Sequence, residues 1–387
     1  MLDRLYKIFT SLRLTVILLA LGLILVFWGT IAQVNYGLYK AQNEFFRSYL
    51  IYWTPKGWPE GIPFLPGIPI FPGGYLVGGF LLINLFSAHL RYYRPGKKKW
   101  GIVLIHLGVV LLLLGQLLTD KLSTESMMHI RNGGTMNYSE ASMAYELAVV
   151  DTTDPATDHV VAIPSQQLAQ GRELKPTELP FAVRVKTFYG NSSLTEKPAD
   201  GYAAVNVTAG LGAGISWREL PHVTKMDERD MPSALVELLA PQASLGTFLV
   251  SGFLTRPQEF TYNGRTYQMA LRLVRYYKPF NLHLVEFKHD RYAGTDIPKN
   301  FSSRVRLQRP DTGEDREVLV YMNSPLRYGG DTYYQASFDK DDQGTVLQVV
   351  HNPSWLTPYF SCVMVAVGMM VQFMTHLVGF ASKRKTK

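Results

Sequence analysis

The chain has 387 residues, of which 47% are hydrophobic and 18% are charged, with 39 Lys and Arg against 31 Asp and Glu. Its single cysteine excludes a disulfide within the chain, a zinc ribbon and a covalent haem site of the C-x-x-C-H type. That residue, Cys362, lies in an apolar run, where an inert buried or lipid-facing side chain is the ordinary interpretation. The apolar residues are concentrated in a few long stretches, a pattern that the average composition hides.

Four stretches almost free of charge are long enough to cross a membrane as helices. A helix of about 20 apolar residues spans the hydrocarbon layer. Leu14–Val34 is too long for the apolar core of a signal peptide, which has only about 7–15 residues. The predicted order is an N-terminus (1–13), a first span (14–34), an aromatic and Pro-rich loop (35–74), a second span (75–90), a basic loop (91–99), a third span (100–119), a β-rich domain (120–355), a fourth span (356–381) and a tail (382–387).

The basic residues predict the orientation. Met1–Arg13, Arg91–Lys99 and Lys383–Lys387 are rich in Lys and Arg and together hold one acid, Asp3. The positive-inside rule places these segments in the cytoplasm, so the large block 120–355 is expected to be extracytoplasmic. We therefore expect an integral protein of the bacterial cytoplasmic membrane with both termini in the cytoplasm. The formal charge of +8 then reflects topology and lipid contact and not a nucleic-acid surface.

The block 120–355 has the pattern of an all-β domain. Tyr145–Val150 and His159–Ile163, separated by turn residues, predict a hairpin. Further strands are predicted at Phe181–Phe188, Tyr202–Val207, Phe260–Tyr262, Met269–Tyr276, His283–Phe287, Val305–Leu307, Val318–Tyr321, Thr332–Gln335 and Val346–Val350, with turns at Asn263-Gly264 and Asp311–Gly313. Ser233–Leu239 is the strongest candidate for a helical insertion. Many short strands with tight turns predict a sandwich or an open barrel.

The fold class that follows is membrane α plus extracytoplasmic all-β, with four transmembrane helices and a large β-sandwich-like domain between helices 3 and 4. The smaller outer loop, 35–74, is rich in aromatic residues, Pro and Gly. This composition is typical of a segment at the level of the lipid headgroups, where Trp and Tyr are enriched. A contact with a partner helix is the alternative interpretation.

Common enzyme motifs are absent from the sequence. H-E-x-x-H, the P-loop, G-x-S-x-G and G-x-G-x-x-G after a strand do not occur. The glycine-rich Gly210–Gly214 has nothing nearby that would bind phosphate and is predicted to be a turn. Asp339, Asp341 and Asp342 suggest a calcium site, but they lack the twelve-residue ligand spacing, which favours a solvated loop.

Histidines near the predicted cytoplasmic face are the strongest candidates for a functional site. His106 lies two turns into the third span, roughly 9 Å from its cytoplasmic end at about 1.5 Å per residue. His376 lies one turn from the cytoplasmic end of the fourth span, and His89 ends the second. An ionisable side chain within a span is a functional candidate, because apolar surroundings penalise it unless a partner satisfies it. Imidazole is also a common axial ligand of haem iron.

Each histidine also has a structural interpretation. His89 is typical of an interfacial residue reaching toward the headgroups, and His376 of a polar residue at a helix end. For His106, a ligand or proton-relay function and an interhelical hydrogen bond are supported equally by the residues alone. His289, which Asp290 could orient, is interpreted as an exposed loop histidine with a structural role.

Several motifs follow one another in a specific order along nearly the whole chain. They are Ser11-Leu12-Arg13-Leu14 and Gly29-Thr30-Ile31-Ala32-Gln33 in the first span, Phe71-Pro72-Gly73-Gly74, Asn84-Leu85 and Ala88-His89 around the second, Trp100 and His106-Leu107-Gly108 in the third, Met322-Asn323-Ser324-Pro325-Leu326-Arg327-Tyr328 with Tyr334-Gln335 in the β-rich block, and Asn352-Pro353 before the fourth. In this order they resemble the ResB family, the membrane component of System II cytochrome c biogenesis. Four helices with a β-rich domain between the third and fourth are also that family's layout.

The resemblance implies a subunit that works with a ResC/CcsA-type membrane partner to carry haem across the membrane and attach it to apocytochrome c. It implies transient, non-covalent haem b as cofactor, His106 as an axial ligand of the haem iron, and His376 as a further haem-binding residue. Membrane lipid and, indirectly, a thioredoxin-like thiol reductant are the other implied partners; no nucleic acid is expected. The six tryptophans are scattered, so the tryptophan-rich haem-presenting loop is expected from the partner.

On this interpretation the chain is a non-catalytic or co-catalytic subunit of a haem-ligating complex, and no catalytic residue is predicted. Two alternatives stay open. One is a cofactor-free membrane-anchored scaffold, in which His106 only bonds a neighbouring helix. The other is a b-type haem electron-transfer subunit, in which His106 and His376 supply a pair of ligands to one haem.

Overall fold

The structure is a computed structural model that describes residues 2–55, 67–92, 99–197, 199–223, 228–295 and 298–385. The chain forms two compact units. The helical unit comprises the described parts of Met1–Ser123 and Asn352–Lys387, and the β unit those of Thr124–Val223 and Glu228–His351. The middle of the predicted aromatic loop (56–66) and most of the predicted basic loop (93–98) lie outside the described residues.

The elements before the β unit are mostly helical. They are α1 (Leu2–Phe9), α2 (Leu12–Tyr36), α3 (Leu38–Ala41), a π-helical turn (Gln42–Phe46), β1 (Leu50–Trp53), β2 (Ile68–Pro72), α4 (Gly74–Tyr92) and α5 (Trp100–Leu122).

The β unit follows α5 in the chain and precedes the last helix. Its elements are β3 (Thr124–Arg131), β4 (Thr135–Asp151), β5 (His159–Pro164), α6 (Ser165–Leu168), β6 (Glu173–Leu174), β7 (Ala182–Tyr189), β8 (Ser192–Thr195), β9 (Ala203–Ala204), β10 (Ser216–Glu219), β11 (Ser233–Leu239), β12 (Ser244–Ser251), β13 (Gln258–Tyr262), β14 (Arg265–Arg291), β15 (Pro298–Arg309), β16 (Glu314–Tyr321), β17 (Leu326–Tyr328), β18 (Asp331–Phe338) and β19 (Gly344–His351). The last helix is α7 (Thr357–Lys385).

Three helices in the described part of the chain are long and apolar enough to cross a membrane. They are Leu12–Tyr36, Trp100–Leu122 and Thr357–Ser382, which correspond to the first, third and fourth predicted spans. A helix, α4, also covers the second predicted span, but it carries Asn84 and Arg91 and is not one of the three. The chain therefore has apolar helices suited to a membrane, and the count of four spans is not confirmed.

A line of glycines joins α5 closely to α7. Gly101, Gly108 and Gly115 recur at seven-residue intervals along α5, and all three are buried. A Cβ placed on Gly108 would stand 2.6 Å from Cγ2 of Val365, closer than side-chain atoms approach one another. Small residues at such a repeat let two helix backbones come together, which is a common mode of packing between membrane helices. This face of α5 is therefore fully used by its contact with α7.

Asn84 of α4 fixes the break between α1 and α2. Its Nδ2 donates to the carbonyl oxygens of Phe9 (2.8 Å) and Ser11 (3.2 Å), and its Oδ1 accepts from Thr15 Oγ1 at 2.6 Å. The side chain is fully buried. The buried amide thus adds a donor to both carbonyls at the break, of which that of Ser11 also accepts from Thr15 N at 3.3 Å.

Part of the aromatic loop packs onto α2. Phe45 is buried and meets the ring of Trp28 edge-on, with 5.5 Å between ring centroids. Phe46 lies against Gly29, where a Cβ would stand 2.6 Å from its ring. Gly29 is the glycine of the motif that ends the first predicted span, and its lack of a side chain makes room for this ring. These described aromatic residues therefore contribute to the core of the helical unit itself.

The β unit contains one large curled sheet and two smaller ones. The large sheet has the order β16-β15-β14-β4-β3-β19-β18-β17, with β13 added beside β14 and β5 beside β4. The smaller sheets have the orders β12-β11-β7-β6 and β8-β10-β9. The described pairings are antiparallel, including the β4–β5 hairpin, which confirms that prediction.

Two hydrophobic cores divide the β unit into two lobes. In the first lobe the four-stranded sheet packs on the early part of β14 and the late part of β4, around residues such as Val236 and Met269. In the second lobe the other strands of the large sheet curl around Leu282 and Leu347, and β16 comes to contact β17 and β18. A smaller cluster around Trp217 and Leu249 involves the three-stranded sheet. The first lobe is thus sandwich-like and the second is an open barrel. The long strands β4 and β14 run through both.

One helix prediction and three strand predictions in the β-rich block need correction. Ser233–Leu239 is not a helix but strand β11, paired on both sides with β7 and β12. Nearly every residue of β11 is buried, so the alternation that marks a one-sided strand is missing from its sequence. Only Ala203–Ala204 of the predicted Tyr202–Val207 is a strand, and the two strands predicted within 269–287 are one continuous strand, β14.

The predicted turns are found. Asn263 and Gly264 both have positive φ (50° and 74°), as a two-residue hairpin turn requires, and they join β13 to β14. Gly313 (φ 68°) closes the turn between β15 and β16. Gly210–Gly214 is irregular chain with three glycines at positive φ, as predicted for a turn.

Candidate functional site

The helical unit contains a cavity on the side of α5 that carries His106. Its volume is about 390 Å³, within the range of ligand pockets. It is lined by Leu12, Thr15, Asn84, Leu85, Ala88, His89, Lys99, Ile102, Val103 and His106. Five of these ten side chains are apolar. The polar groups are two histidines, the buried Asn84–Thr15 pair and Lys99 just before the start of α5.

The ring of His106 is oriented by a hydrogen bond to its own helix. Nδ1 lies 2.7 Å from the carbonyl oxygen of Ile102, one turn earlier. A carbonyl oxygen can only accept, so Nδ1 carries the proton and, in the neutral ring, Nε2 keeps its lone pair. Histidines that bind metals commonly donate their other ring nitrogen to a backbone carbonyl in this manner. The residue therefore has the tautomer and the fixed ring that an iron ligand needs.

His89 is the nearest histidine to His106. Their ring centroids are 5.6 Å apart and the rings are inclined by 32°. The sequence predicts that His89 and His106 lie near the same membrane surface, favours an interfacial role for His89, and leaves open whether His89 or His376 shares the site with His106. The structure adds that the rings of His89 and His106 are neighbours.

His376 lies elsewhere on the helical unit. It is exposed on α7, and Gln372 Nε2 donates a hydrogen bond to its Nε2 at 2.7 Å. It is not among the residues that line the cavity around His106. The glycine-lined face of α5, which meets α7, is opposite the face that carries His106. In the described residues, the structure thus brings His89 and not His376 beside His106.

The acidic loop of the β unit is held by basic residues. Both oxygens of Asp339 are 2.9 Å from His129 Nε2, and Asp341 pairs with Arg131. Asp342, whose φ of 55° is positive, contacts His289 and Arg291. Across the described residues, no group of three or more His, Cys, Asp or Glu side chains is placed to hold a metal ion. These carboxylates are therefore engaged in ion pairs.

The prediction that His289 lies in a loop and is exposed is wrong. His289 lies on strand β14, and only 4% of its side chain is exposed. Its partner is Asp342, 2.8 Å from Nδ1, and not the adjacent Asp290. Successive residues of a strand point to opposite faces, so a neighbour in sequence could not orient this ring. Its packing beside Phe338 agrees with a structural role.

The fold and the site together define a class: a membrane-associated protein with apolar helices, a large β-rich domain and a histidine-containing cavity in its helical part. Residues 255–346, which lie in the β unit, match the model of the ResB-like family. The predicted resemblance to that family is thereby confirmed. Protein NrfI of Wolinella succinogenes is 25% identical over 296 residues, which is 76% of this chain and 29% of that protein. The chain therefore spans less than a third of the length of this relative.

Proposed function

We propose that the chain is a ResB-like subunit of a System II cytochrome c assembly complex. In this role it helps to carry haem across the membrane and to attach it to apocytochrome c, together with a ResC/CcsA-type partner. The match of residues 255–346 and the similarity to NrfI support the family assignment on which this function depends. The single observation that carries the haem-binding part is the oriented ring of His106 in a largely apolar cavity.

The residues around the cavity fit a haem group. When bound, haem would supply an iron that accepts an imidazole nitrogen as axial ligand. His106 presents Nε2 for this purpose, while its Nδ1–H bond to Ile102 prevents the ring from turning away. The apolar residues around it exclude water, and the Asn84–Thr15 bond holds α2 against α4 at the wall of the cavity. We assign His89 a supporting role beside His106.

For His376 we propose a weaker role in haem binding, separate from the cavity. Its Nε2 accepts a hydrogen bond from Gln372, so that nitrogen becomes a ligand only if this bond breaks. In His106 the hydrogen bond to Ile102 uses Nδ1, so Nε2 can bind iron without any hydrogen bond being broken. This difference favours His106 as the principal ligand of transient haem b.

The proposed membrane arrangement includes α4 as a fourth span. The basic flanks of the helices then lie in the cytoplasm with both termini, and the β unit is extracytoplasmic in the bacterial cytoplasmic membrane. His106 lies near the cytoplasmic end of α5, which suits haem that arrives from inside the cell. The β unit would then meet apocytochrome c, with a thioredoxin-like reductant acting indirectly on its thiols.

The test is the haem that copurifies with the chain and its partner. We expect a Soret band in the wild-type complex, its loss in His106→Ala, and partial recovery when imidazole is added to the variant. His376→Ala serves as the matched control and should lose much less of the band. A wild-type complex with no Soret band would contradict the proposal.

A cofactor-free scaffold is the second candidate, and one observation favours it. The match to the ResB-like family covers residues of the β unit and does not reach His106. On that view the β unit carries the function, and His106 has only a packing role. His106→Asn would then preserve cytochrome c assembly in cells, since an amide still donates and accepts hydrogen bonds. Loss of assembly in this variant would exclude the scaffold.

A further inference from the structure

The β unit has its own cavity, of about 480 Å³, and charged side chains line it. Thr124 and Ser126 of β3, Lys278 of β14, Asp331 of β18 and His351 of β19 all contribute to its wall. The cavity is distinct from the one around His106, and nothing in the proposed haem site uses it. Four strands therefore converge here, of which β3, β14 and the β18–β19 pair are far apart in sequence.

A break in strand pairing builds the wall of this cavity. Between Tyr277 and Leu282 the register of β14 with β4 shifts, where β14 passes from the sandwich-like lobe to the barrel. A second shift lies between Leu273 and Arg275, so irregular pairing flanks this part of β14 on both sides. The consecutive residues 275–278 all border the cavity, whereas a regular strand would turn every second one away. Such irregularities commonly re-aim side chains beside binding sites.

The centre of the wall is a buried carboxylate with basic partners. Lys278 Nζ lies 2.6 Å from Asp331 Oδ2, and His351 Nδ1 lies 2.9 Å from Oδ1. The side chains of Asp331 and Lys278 are only 7% and 14% exposed, whereas that of His351 is 50% exposed. Beneath them is Tyr333, fully buried, and burial raises the pKa of its hydroxyl. The Asp331 carboxylate thus fixes the two basic groups in place.

Each of the two cations at the cavity is paired with one carboxylate and keeps further N–H donors. Arg275 Nε bonds Glu140 Oε1 at 3.0 Å, and its guanidinium lies 4.2 Å from the centre of the Tyr138 ring. A guanidinium has five N–H groups and an ammonium three, so one carboxylate contact each leaves further donors on both. Among the groups that line the cavity, Arg275 and Lys278 are cations and Asp331 is the single carboxylate. His351 lines the cavity beside them, with its Nδ1 held by Asp331 Oδ1.

We propose that this cavity binds a phosphate group through Arg275, Lys278 and His351. The donors come from two strands, and a tetrahedral phosphate group, whose oxygens point in several directions, suits this arrangement better than a planar carboxylate. Arg and Lys are the usual phosphate-binding side chains in proteins. The source of the phosphate is either the headgroup of an anionic phospholipid or free phosphate. Thr124 stands two residues after α5 in the chain, so a lipid is the first source to test.

The test uses the full chain purified in detergent. Inorganic phosphate and short-chain phosphatidylglycerol are titrated by calorimetry into the wild type and three variants. Thr124→Glu adds a carboxylate at an exposed lining position, and His351→Leu removes a donor that is half exposed, so both should fold. Thr261→Glu, at an exposed position on β13 outside this cavity, is the matched control.

We expect Thr124→Glu to weaken phosphate binding by at least about tenfold, because a like charge is placed beside the anion. His351→Leu should weaken it severalfold, and Thr261→Glu should behave as the wild type. Tighter binding of phosphatidylglycerol than of inorganic phosphate would support the site with a lipid as its ligand. Equal binding of both would support it with free phosphate. If neither binds the wild type more tightly than Thr124→Glu, the proposal is overturned.

Discussion

The two faces of α5 show how one helix can serve both packing and binding. On one face Gly101, Gly108 and Gly115 bring the backbone of α7 so close that no side chain fits between the helices. On the other face, which carries His106, the side chains of α4 do not fill the space beside α5, and a cavity of about 390 Å³ remains. The difference lies in side-chain size: glycines remove space between helices, and larger residues that do not interlock leave it. The close packing on the glycine face holds α5 in place, and the opposite face is left free for a ligand.

The largest change in stability is expected at the face of α5 that packs against α7. Gly108→Leu places a side chain where even a Cβ would be 2.6 Å from Val365, so α5 and α7 must separate. We expect a loss of about 3 kcal/mol in the free energy of unfolding, seen as low yield and early thermal unfolding in detergent. Gly78→Leu is the control, since a Cβ at Gly78 meets nothing within 4 Å. Equal stability of the two variants would contradict the close packing.

The second prediction concerns Asn84 of α4, which lines the cavity beside His106. Asn84→Ala leaves the carbonyl of Phe9 without its buried donor, whereas that of Ser11 keeps its bond from Thr15 N. An unsatisfied buried polar group costs about 1–3 kcal/mol, so we expect thermal unfolding at a lower temperature than in the wild type. Asn35→Ala, at an exposed position of α2, is the control and should change little. Unchanged unfolding of Asn84→Ala would show that water replaces the amide.

The binding face can be tested without touching a histidine. Val103→Trp fills the cavity, so we expect the Soret band of the copurified haem to fall to background. The free energy of unfolding should change by less than about 1 kcal/mol. Leu107→Trp is the control, because Leu107 is 51% exposed and does not line the cavity. A normal Soret band in Val103→Trp would place haem outside this cavity.

The smallest expected change is in haem binding by His89→Ala, and it distinguishes the role of His89 from that of His106. His89→Ala should weaken haem binding by about tenfold, as the loss of a supporting group does, and should keep a detectable Soret band. His106→Ala should abolish it. The measurement is a haem titration followed by absorbance in detergent. Complete loss in both variants would assign both rings to the iron and contradict the supporting role of His89.

Particular residues show where sequence reasoning succeeded and failed. The helices and the Asn263-Gly264 turn follow from local rules, namely long apolar runs and a dipeptide that tolerates positive φ. Ser233–Leu239 was mistaken for a helix because burial on both faces erased its alternation. The partner of His289, Asp342, is 53 residues away along the chain, and no local pattern specifies such a pair.

The apolar helices, the β character of 120–355, the resemblance to the ResB family and the candidate His106 can all be predicted from the sequence. Each depends on composition or on short motifs, which act locally along the chain. Two arrangements require the folded chain: His89 and not His376 stands beside His106, and Lys278, Asp331 and His351 meet at one cavity. These contacts depend on how helices face each other and how strands bend and pair. Such geometry is set by packing over long separations in sequence.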